Sequence, residues 1–284
     1  MFDTFKNRLE ITGTLITVTA LRISAGRSSE PIGSDLPVIK DALGQPLIPG
    51  SSFKGALRSR LESFLRAIDS SFAEDPASFT TRSKNREIED IKKLYEGDDL
   101  GLTTALIGIT DLVSHLFGSP WLASKFQVRD LTVLPDFWFG QYQERDGVAI
   151  DRDTETASDG KLYDFQVVPS GTPFEFRAVV ENAEDWELGL LMIGLHQFET
   201  EQIPLGGGRS RGLGVVKLEI DKMHWINVNN DPEKLISYLQ KLVNNNPDIY
   251  EDGKQLRASW TNSLIDHLRQ NLPQQSTLST SSGD

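Results

Sequence analysis

The sequence predicts an α+β protein, and three observations predict it. β-Branched segments with period-2 alternation occur near both ends of the chain. Two helices carry apolar residues at 3.6-residue spacing. Loops dense in Gly, Pro, Ser and Asp separate these elements. With 284 residues, 38% of them apolar, the chain is long enough to bury a sizeable core. It has no cysteine, which excludes a disulfide scaffold, a thiol nucleophile and a cysteine-ligated metal. No apolar run reaches the ~18 residues a membrane span needs, and MFDTFKNRLEITG lacks a signal-peptide layout. The expectation is a cytoplasmic protein without a membrane partner.

Residues 8–24 (RLEITGTLITVTALRIS) read as a strand whose alternation slips near Gly13, so a bulge is expected there. A 26-residue loop, AGRSSEPIGSDLPVIKDALGQPLIPG, follows; loops of that length usually carry function. A helix then begins near Ser51 or Ser52, either of which suits an N-cap, and should bury Phe53, Leu57, Leu61, Phe64, Leu65 and Ile68. Residues 69–104 are charged and poorly periodic, as in a helical insertion. One short buried helix is expected over 105–118, ending at Gly118, and one strand over 126–134. Residues 137–171 read as two extended arms around a polar tip, a projecting hairpin. A half-buried strand follows at 174–181, an amphipathic helix at 185–201, and a strand after PLGGGRSRGLG. Helices are expected at 231–243 and 259–271, then a low-complexity disordered tail at 273–284. In order, the regular core is strand, helix, strand, strand, helix, strand, the ferredoxin-like βαββαβ pattern shared with the common RNA-recognition module. The domain reading is 1–225 as the core, with the insertion and hairpin inside it, and 226–272 as a helical extension.

The formal charge of −12 is unevenly distributed. Lys54, Arg58, Arg60 and Arg66 against Glu62 give residues 51–68 a net +3. Arg209, Arg211 and Lys217 give residues 204–217 another +3. Basic islands in an acidic body can bind phosphate, because screening limits the reach of distant charges to about 8–10 Å. In PLIPGSSFKGALR (46–58) a turn, two serines and a first-turn lysine make either an anion site or an ordinary capped helix. In GGGRSRGLG (206–214) the glycines permit close backbone approach and two guanidinium groups suit phosphate oxygens, although such a loop also serves as a tight turn. Asp35 and Asp41 sit in a Gly/Pro/Ser loop, where aspartate is ordinarily a turn former. His115, His196, His224 and His267 are dispersed, without zinc-site spacing.

PLIPGSSFKGALR and GGGRSRGLGVVKLEI together resemble the RAMP superfamily of CRISPR-associated proteins. IGSDLPVIKDALGQPLIPGSSFKG, HLFGSPW and GVAIDRDTETASDGKLYDFQVVPSGTPF further resemble the backbone subunits of type III CRISPR effector complexes, of the Csm-type lineage. The resemblance spans roughly residues 8–222 and leaves the 69–104 insertion and the segment after 225 uncovered.

The resemblance implies a ferredoxin-like palm that stacks head to tail with further RAMP subunits along a guide RNA (crRNA), in a prokaryotic cytoplasm and in company with the large type III subunit. Ser51, Ser52, Lys54 and Arg58 fall where the family holds the guide backbone. Gly206, Gly207, Gly208, Arg209 and Arg211 match its signature loop. The hairpin around Ile150, Asp151, Arg152 and Lys161 matches the thumb that displaces a base pair between guide and target RNA. Asp35 falls where target-cleaving members carry an acidic residue, and this reverses its reading from turn former to catalytic residue, while Asp41 stays structural. A divalent ion, Mg or Mn, is the expected cofactor, with Asp35 its one candidate ligand. The expected function is therefore guide-RNA binding with metal-dependent cleavage of target RNA inside the complex. The alternative is a non-catalytic backbone subunit. A stand-alone guide-processing ribonuclease is a third reading, but such members usually rely on a histidine and neither motif contains one.

Overall fold

The computed structural model describes residues 4–24, 26, 34–150, 157–229, 231–244 and 247–272, with backbone alone at 148–150 and 157–162. The fold is a mixed α/β arrangement on a central antiparallel sheet. Its elements are β1 (Asn7–Thr17), β2 (Leu47–Ile48), α1 (Gly50–Ile68), α2 (Arg82–Leu94), α3 (Asp99–Gly108), α4 (Leu112–Phe117), β3 (Phe126–Val128) and β4 (Leu131–Thr132). These are followed by β5 (Gln143–Ile150), β6 (Ala157–Val167), β7 (Pro173–Glu181), α5 (Asp185–Glu199), β8 (Val216–Asn227), α6 (Pro232–Val243), β9 (Glu251–Asp252) and α7 (Gly253–Asn271).

The main sheet has the order β3-β7-β1-β8-β9, and every neighbouring pair in it is antiparallel. Strand β1 lies at its centre and alternates strictly between buried and half-buried residues along its length, as one buried face demands. The β1–β8 register shifts between Thr12 and Gly13, where the sequence places a bulge, and Asp221 is the extra residue on β8. A side chain at position 13 would collide with the carbonyl of Glu219, so glycine there is a packing requirement.

Helices α1 and α5 bury Phe53, Leu57, Leu61, Leu65, Leu188, Leu191, Leu195 and Phe198 in one continuous core with the sheet. Phe53 stacks on Phe198 with ring centroids 4.4 Å apart and meets Phe176 of β7 at 5.0 Å. Two residues expected on the buried face of α1 lie outside it: Phe64 is 37% exposed and Ile68 48%. Glu62 is buried instead, because Arg58 and Arg66 reach it from one turn on either side, at 2.7 and 2.8 Å. Helix α7 packs on α5 through Trp260 and Leu264, and Trp225 of β8 meets Trp260 edge-on at 5.3 Å. Lys125 and Glu187 form a buried pair at 2.6 Å. Burial pushes the Glu187 carboxyl above its usual range and Lys125 opposes that shift.

Local hydrogen bonding breaks up two segments expected to be continuous. Residues 105–118 split into the end of α3 and a separate α4, because the Asp111 side chain accepts from Ser114 N–H and caps a new helix. Gly118 ends α4 with φ 84°, as expected. The 126–134 strand becomes β3, paired with β7, and β4, paired with β2. It turns at Asp130, whose carboxylate accepts from Gly50 N–H at 2.8 Å. The 8–24 strand leaves the sheet after Thr17. Strands β5 and β6 pair as an antiparallel hairpin, whose 151–156 connection lies outside the described residues, as does the 273–284 tail.

Two glycine substitutions test this packing in opposite directions. A side chain at Gly189 would collide with the Trp260 carbonyl, whereas nothing lies within 4 Å at Gly55, an exposed position in α1. In urea denaturation, Gly189→Ala should cost about 1–3 kcal/mol through overpacking. Gly55→Ala should add roughly 0.5–1 kcal/mol by removing backbone freedom from the unfolded helix.

Candidate nucleic-acid interface

Two chain segments bring the polar residues singled out by sequence to the surface, and they do so by different means. The first is the start of α1. Its N-cap is Pro49, and the serines expected to cap it lie inside the helix, Ser51 exposed and Ser52 half-buried. The chain enters the helix two to three residues early because Gly50 fits against the carbonyls of Val128 and Arg129, and Asp130 satisfies its N–H. A protein carboxylate thus occupies part of the anion site expected at this terminus.

Lys54 lies one turn on. Its ammonium donates to Ser124 Oγ at 2.7 Å and to the Phe126 carbonyl at 3.2 Å. An ammonium has three donors, so this pairing fixes the side chain with two of them. Burial, and then the neighbouring Arg58, lower the Lys54 pKa from its ordinary value. Arg58 is tied into the fold on three sides. It donates to Glu62 at 2.7 Å, to the Gly118 carbonyl at 2.9 Å and to Ser114 Oγ at 3.0 Å.

The second segment is the glycine-rich loop. Gly206, Gly208, Gly212 and Gly214 all have φ between 73° and 86°, the left-handed region that glycine enters without strain. A side chain at 206 would collide with the Arg22 carbonyl and one at 214 with the Leu205 carbonyl. Gly207 N–H donates to Arg22 O at 2.8 Å and Gly214 N–H to Ala20 O at 2.9 Å. Arg211, Gly212 and Leu213 N–H groups also point to carbonyls within the loop. Gly206 and Gly214 therefore serve close chain packing, and the loop's arginines add charged donors. Arg209 and Arg211 are both exposed; Arg209 donates to the Gly206 carbonyl at 3.1 Å and Arg211 to Tyr163 Oη at 3.4 Å.

This loop, the base of the hairpin and the Asp35 segment converge. Phe165, Val167, Ala20 and Leu213 form a small core of their own, with Leu36 and Tyr163 packed against it. The Arg22 guanidinium lies 4.4 Å over the Phe165 ring. Leu36 bridges Phe165 in parallel, and Gln166 N–H donates to Leu36 O at 3.1 Å. Asp35 is exposed at the edge of this cluster. Its N–H donates to Asp164 Oδ1 at 3.0 Å, and Asp164 N–H lies 3.4 Å from Asp35 Oδ2. Asp41 is a turn former, accepting from the N–H groups of Leu43 and Gln45. Tyr142 donates to the Gly44 carbonyl at 2.6 Å, and burial, then Asp41, push its phenol up to about 12.

The structure thus joins Asp35, Gly206–Gly208, Arg209 and Arg211 around the hairpin base, while Lys54 and Arg58 engage the 114–126 segment instead. Ile150 ends β5, its backbone paired with Ala157, and Lys161 lies within β6; Asp151 and Arg152 fall outside the described residues. Among the described residues no three His, Asp or Glu side chains form a metal-holding group. Asp164, Tyr163, Arg22 and Asp130 escaped the sequence reading, because each acts through a partner far away in the chain. No helix among the described residues is long and apolar enough to cross a membrane.

Comparison with known proteins gives a consistent picture. The model of the RAMP superfamily matches residues 14–217. The "CRISPR system Cms endoribonuclease Csm3" of Enterococcus italicus is 26% identical over 219 residues, covering 76% of this chain and 92% of that protein. Its namesake in Mycobacterium tuberculosis is 28% identical over 221 residues, covering 74% and 86%. The Methanocaldococcus jannaschii protein of the same name is 28% identical over 224 residues, covering 78% and 82%.

The geometry separates basic residues that hold the fold from those that face outward. Arg58→Ala leaves the buried Glu62 with Arg66 alone and removes the bonds to Gly118 and Ser114, and should cost about 1–3 kcal/mol in chemical denaturation. Arg209→Ala and Arg211→Ala, at exposed sites, should each change stability by less than about 0.5 kcal/mol.

Proposed function

The chain belongs to the RAMP superfamily, and on that footing we propose that it is a crRNA-binding backbone subunit of a type III CRISPR interference complex that also cleaves target RNA. One observation carries the nuclease part: Asp35 stands exposed at the junction of the hairpin base and the arginine-bearing loop. The names of the relatives, each an endoribonuclease of a CRISPR system, support the same reading. So does the strand order β3-β7-β1-β8, with α1 and α5 as the two crossovers, which is what a ferredoxin-like palm requires. In this reading β5 and β6 are the thumb, reaching between guide and target RNA, with Ile150 at the end of β5 and Lys161 within β6. Arg209 and Arg211 hold guide phosphates as planar forks, and Lys54, with Ser51 and Ser52 beside it, holds others at the start of α1. The partners are crRNA, target RNA, further RAMP subunits and the large subunit of the complex, in the cytoplasm of a prokaryote.

Cleavage follows from RNA chemistry. When a displaced nucleotide brings its 2′-oxygen in line with the adjacent phosphorus, attack forms the 2′-O–P bond and breaks the bond to the departing 5′-oxygen. In this reading the Asp35 carboxylate accepts the 2′-hydroxyl proton, and the departing 5′-oxygen takes a proton from water. Asp35 offers hard oxygen donors that suit Mg or Mn, though too few for an all-protein cage, so RNA phosphate and water would complete the shell. Such an ion, when bound, lowers the pKa of a coordinated hydroxyl and offsets charge on the phosphate. One carboxylate is a sparse catalytic apparatus, so positioning of the strained nucleotide must supply much of the rate.

In a reconstituted complex, Asp35→Ala should leave crRNA content and target binding within about twofold of the unaltered complex. Cutting at this subunit's position should fall by about 10²-fold or more. Cuts that persist at the normal rate favour the non-catalytic backbone subunit. Lys54→Glu should lower co-purifying crRNA and make its loss with rising salt less steep, because one phosphate contact fewer releases fewer counterions; unchanged RNA content at all salt concentrations removes Lys54 from the interface.

A further inference from the structure

Asp164 lies in β6, and its setting is costly for a residue that only built the hairpin. It pairs directly with Asp146 of β5 in the antiparallel register. Like charges directly opposite each other on adjacent strands destabilise a sheet. Asp164 has a different partner, from a loop more than a hundred residues earlier: its Oδ1 accepts the Asp35 N–H at 3.0 Å, while its own N–H faces Asp35 Oδ2 at 3.4 Å. The next residues continue the junction, with Leu36 bridging Phe165 and accepting from Gln166 N–H. Residues 35–36 are thus laid along β6 like a short extra strand, and the Asp164 carboxylate closes its free end.

We infer that Asp164 is a positioning residue: its carboxylate fixes the Asp35 backbone so that the Asp35 side chain faces the RNA in one orientation. The inference rests on the reading of Asp35 as the cleaving residue and adds a second residue to that reaction. An exposed aspartate in a long loop samples several rotamers and backbone states, so its reactive orientation is populated only part of the time. Anchoring its own N–H to β6 restricts those states. It also couples Asp35 to the hairpin, so that a nucleotide positioned by the hairpin and the carboxylate that acts on it share one rigid support. The contact needs an acceptor at position 164 and no negative charge, so asparagine should serve almost as well.

The test uses Asp164→Ala, Asp164→Asn and Asp35→Ala in the full-length chain and in the assembled complex. Hydrogen exchange of the full-length chain reads the anchor directly. In Asp164→Ala the amides of residues 35–36 should exchange at least about tenfold faster, while those of α5 stay unchanged; in Asp164→Asn they should stay protected. In the complex, Asp164→Ala should slow target cutting by about 10- to 100-fold with target binding within twofold. Asp164→Asn should recover to within about threefold of the unaltered rate. Unchanged exchange in Asp164→Ala, or unchanged cutting, overturns the inference. Equal loss in the alanine and asparagine variants overturns it too, because the charge would then be the operative feature. Normal cutting by Asp35→Ala overturns the nuclease reading itself, a result distinct from every Asp164 outcome because it is read on a different variant.

Discussion

The contact on which the rest of the structure depends is the backbone-to-backbone approach of Gly206–Gly214 to residues 20–22. Where the chain leaves β1, Leu21 bridges Val168 on one side and the glycine-rich loop holds the other. Ala20 and Arg22 present their carbonyls to Gly214 and Gly207 N–H groups; the Arg22 carbonyl leaves no room for a side chain at 206, and the Leu205 carbonyl leaves none at 214. That contact sets Arg22 over Phe165 and brings Arg211 beside Tyr163. The hairpin base is then the shelf on which Leu36 and Asp35 are laid. Four segments from distant parts of the chain meet because one loop has no side chains in the way.

This geometry changes the meaning of the charge distribution. By sequence the two basic islands look equivalent, each with a net +3. In the fold they differ. Arg58 and Arg66 bracket the buried Glu62, and Arg60 donates to Gln197 at 2.7 Å while lying 4.6 Å over the Phe64 ring. The first island thus holds α1 in place, Lys54 included, since its ammonium donates to Ser124 Oγ and the Phe126 carbonyl and keeps one donor free of them. In the glycine-rich loop, by contrast, Arg209 and Arg211 each make one long bond to the protein and stay exposed. A body of net −12 can therefore bind RNA through a small number of oriented cations, while the acidic remainder discourages loose binding elsewhere.

Much of the fold was legible in the sequence because local patterns decide local structure. The period-2 alternation of β1, the slip at Gly13, the 3.6-residue spacing of α1 and α5, and the helix stop at Gly118 all have local causes. The errors lie in polar contacts that apolar spacing does not register, some between distant segments and some within one helix. Asp130 breaks a strand because Gly50, eighty residues earlier, needs an acceptor. Glu62 is buried because two arginines on its own helix reach it, whereas Phe64 lies under Arg60 at the surface. For the candidate site, the arginine loop was readable from its glycines and charges, whereas the role of Asp35 came from motif resemblance. Asp164 was invisible, since an aspartate in an alternating strand reads as an ordinary outward-facing residue until its partner across 129 positions is known.

The central claim is that Asp35 faces the target strand at the bond that is cut, and the absence of cysteine makes a direct test available. Asp35→Cys supplies the one thiol in the chain, to which an iron chelate can be attached before the complex is assembled. Hydroxyl radicals generated there mark the RNA nearest to position 35. The account predicts target-strand scission centred on the nucleotides flanking the cut made by the unaltered complex. Scission centred on the guide strand, or spread evenly along both strands, would contradict it.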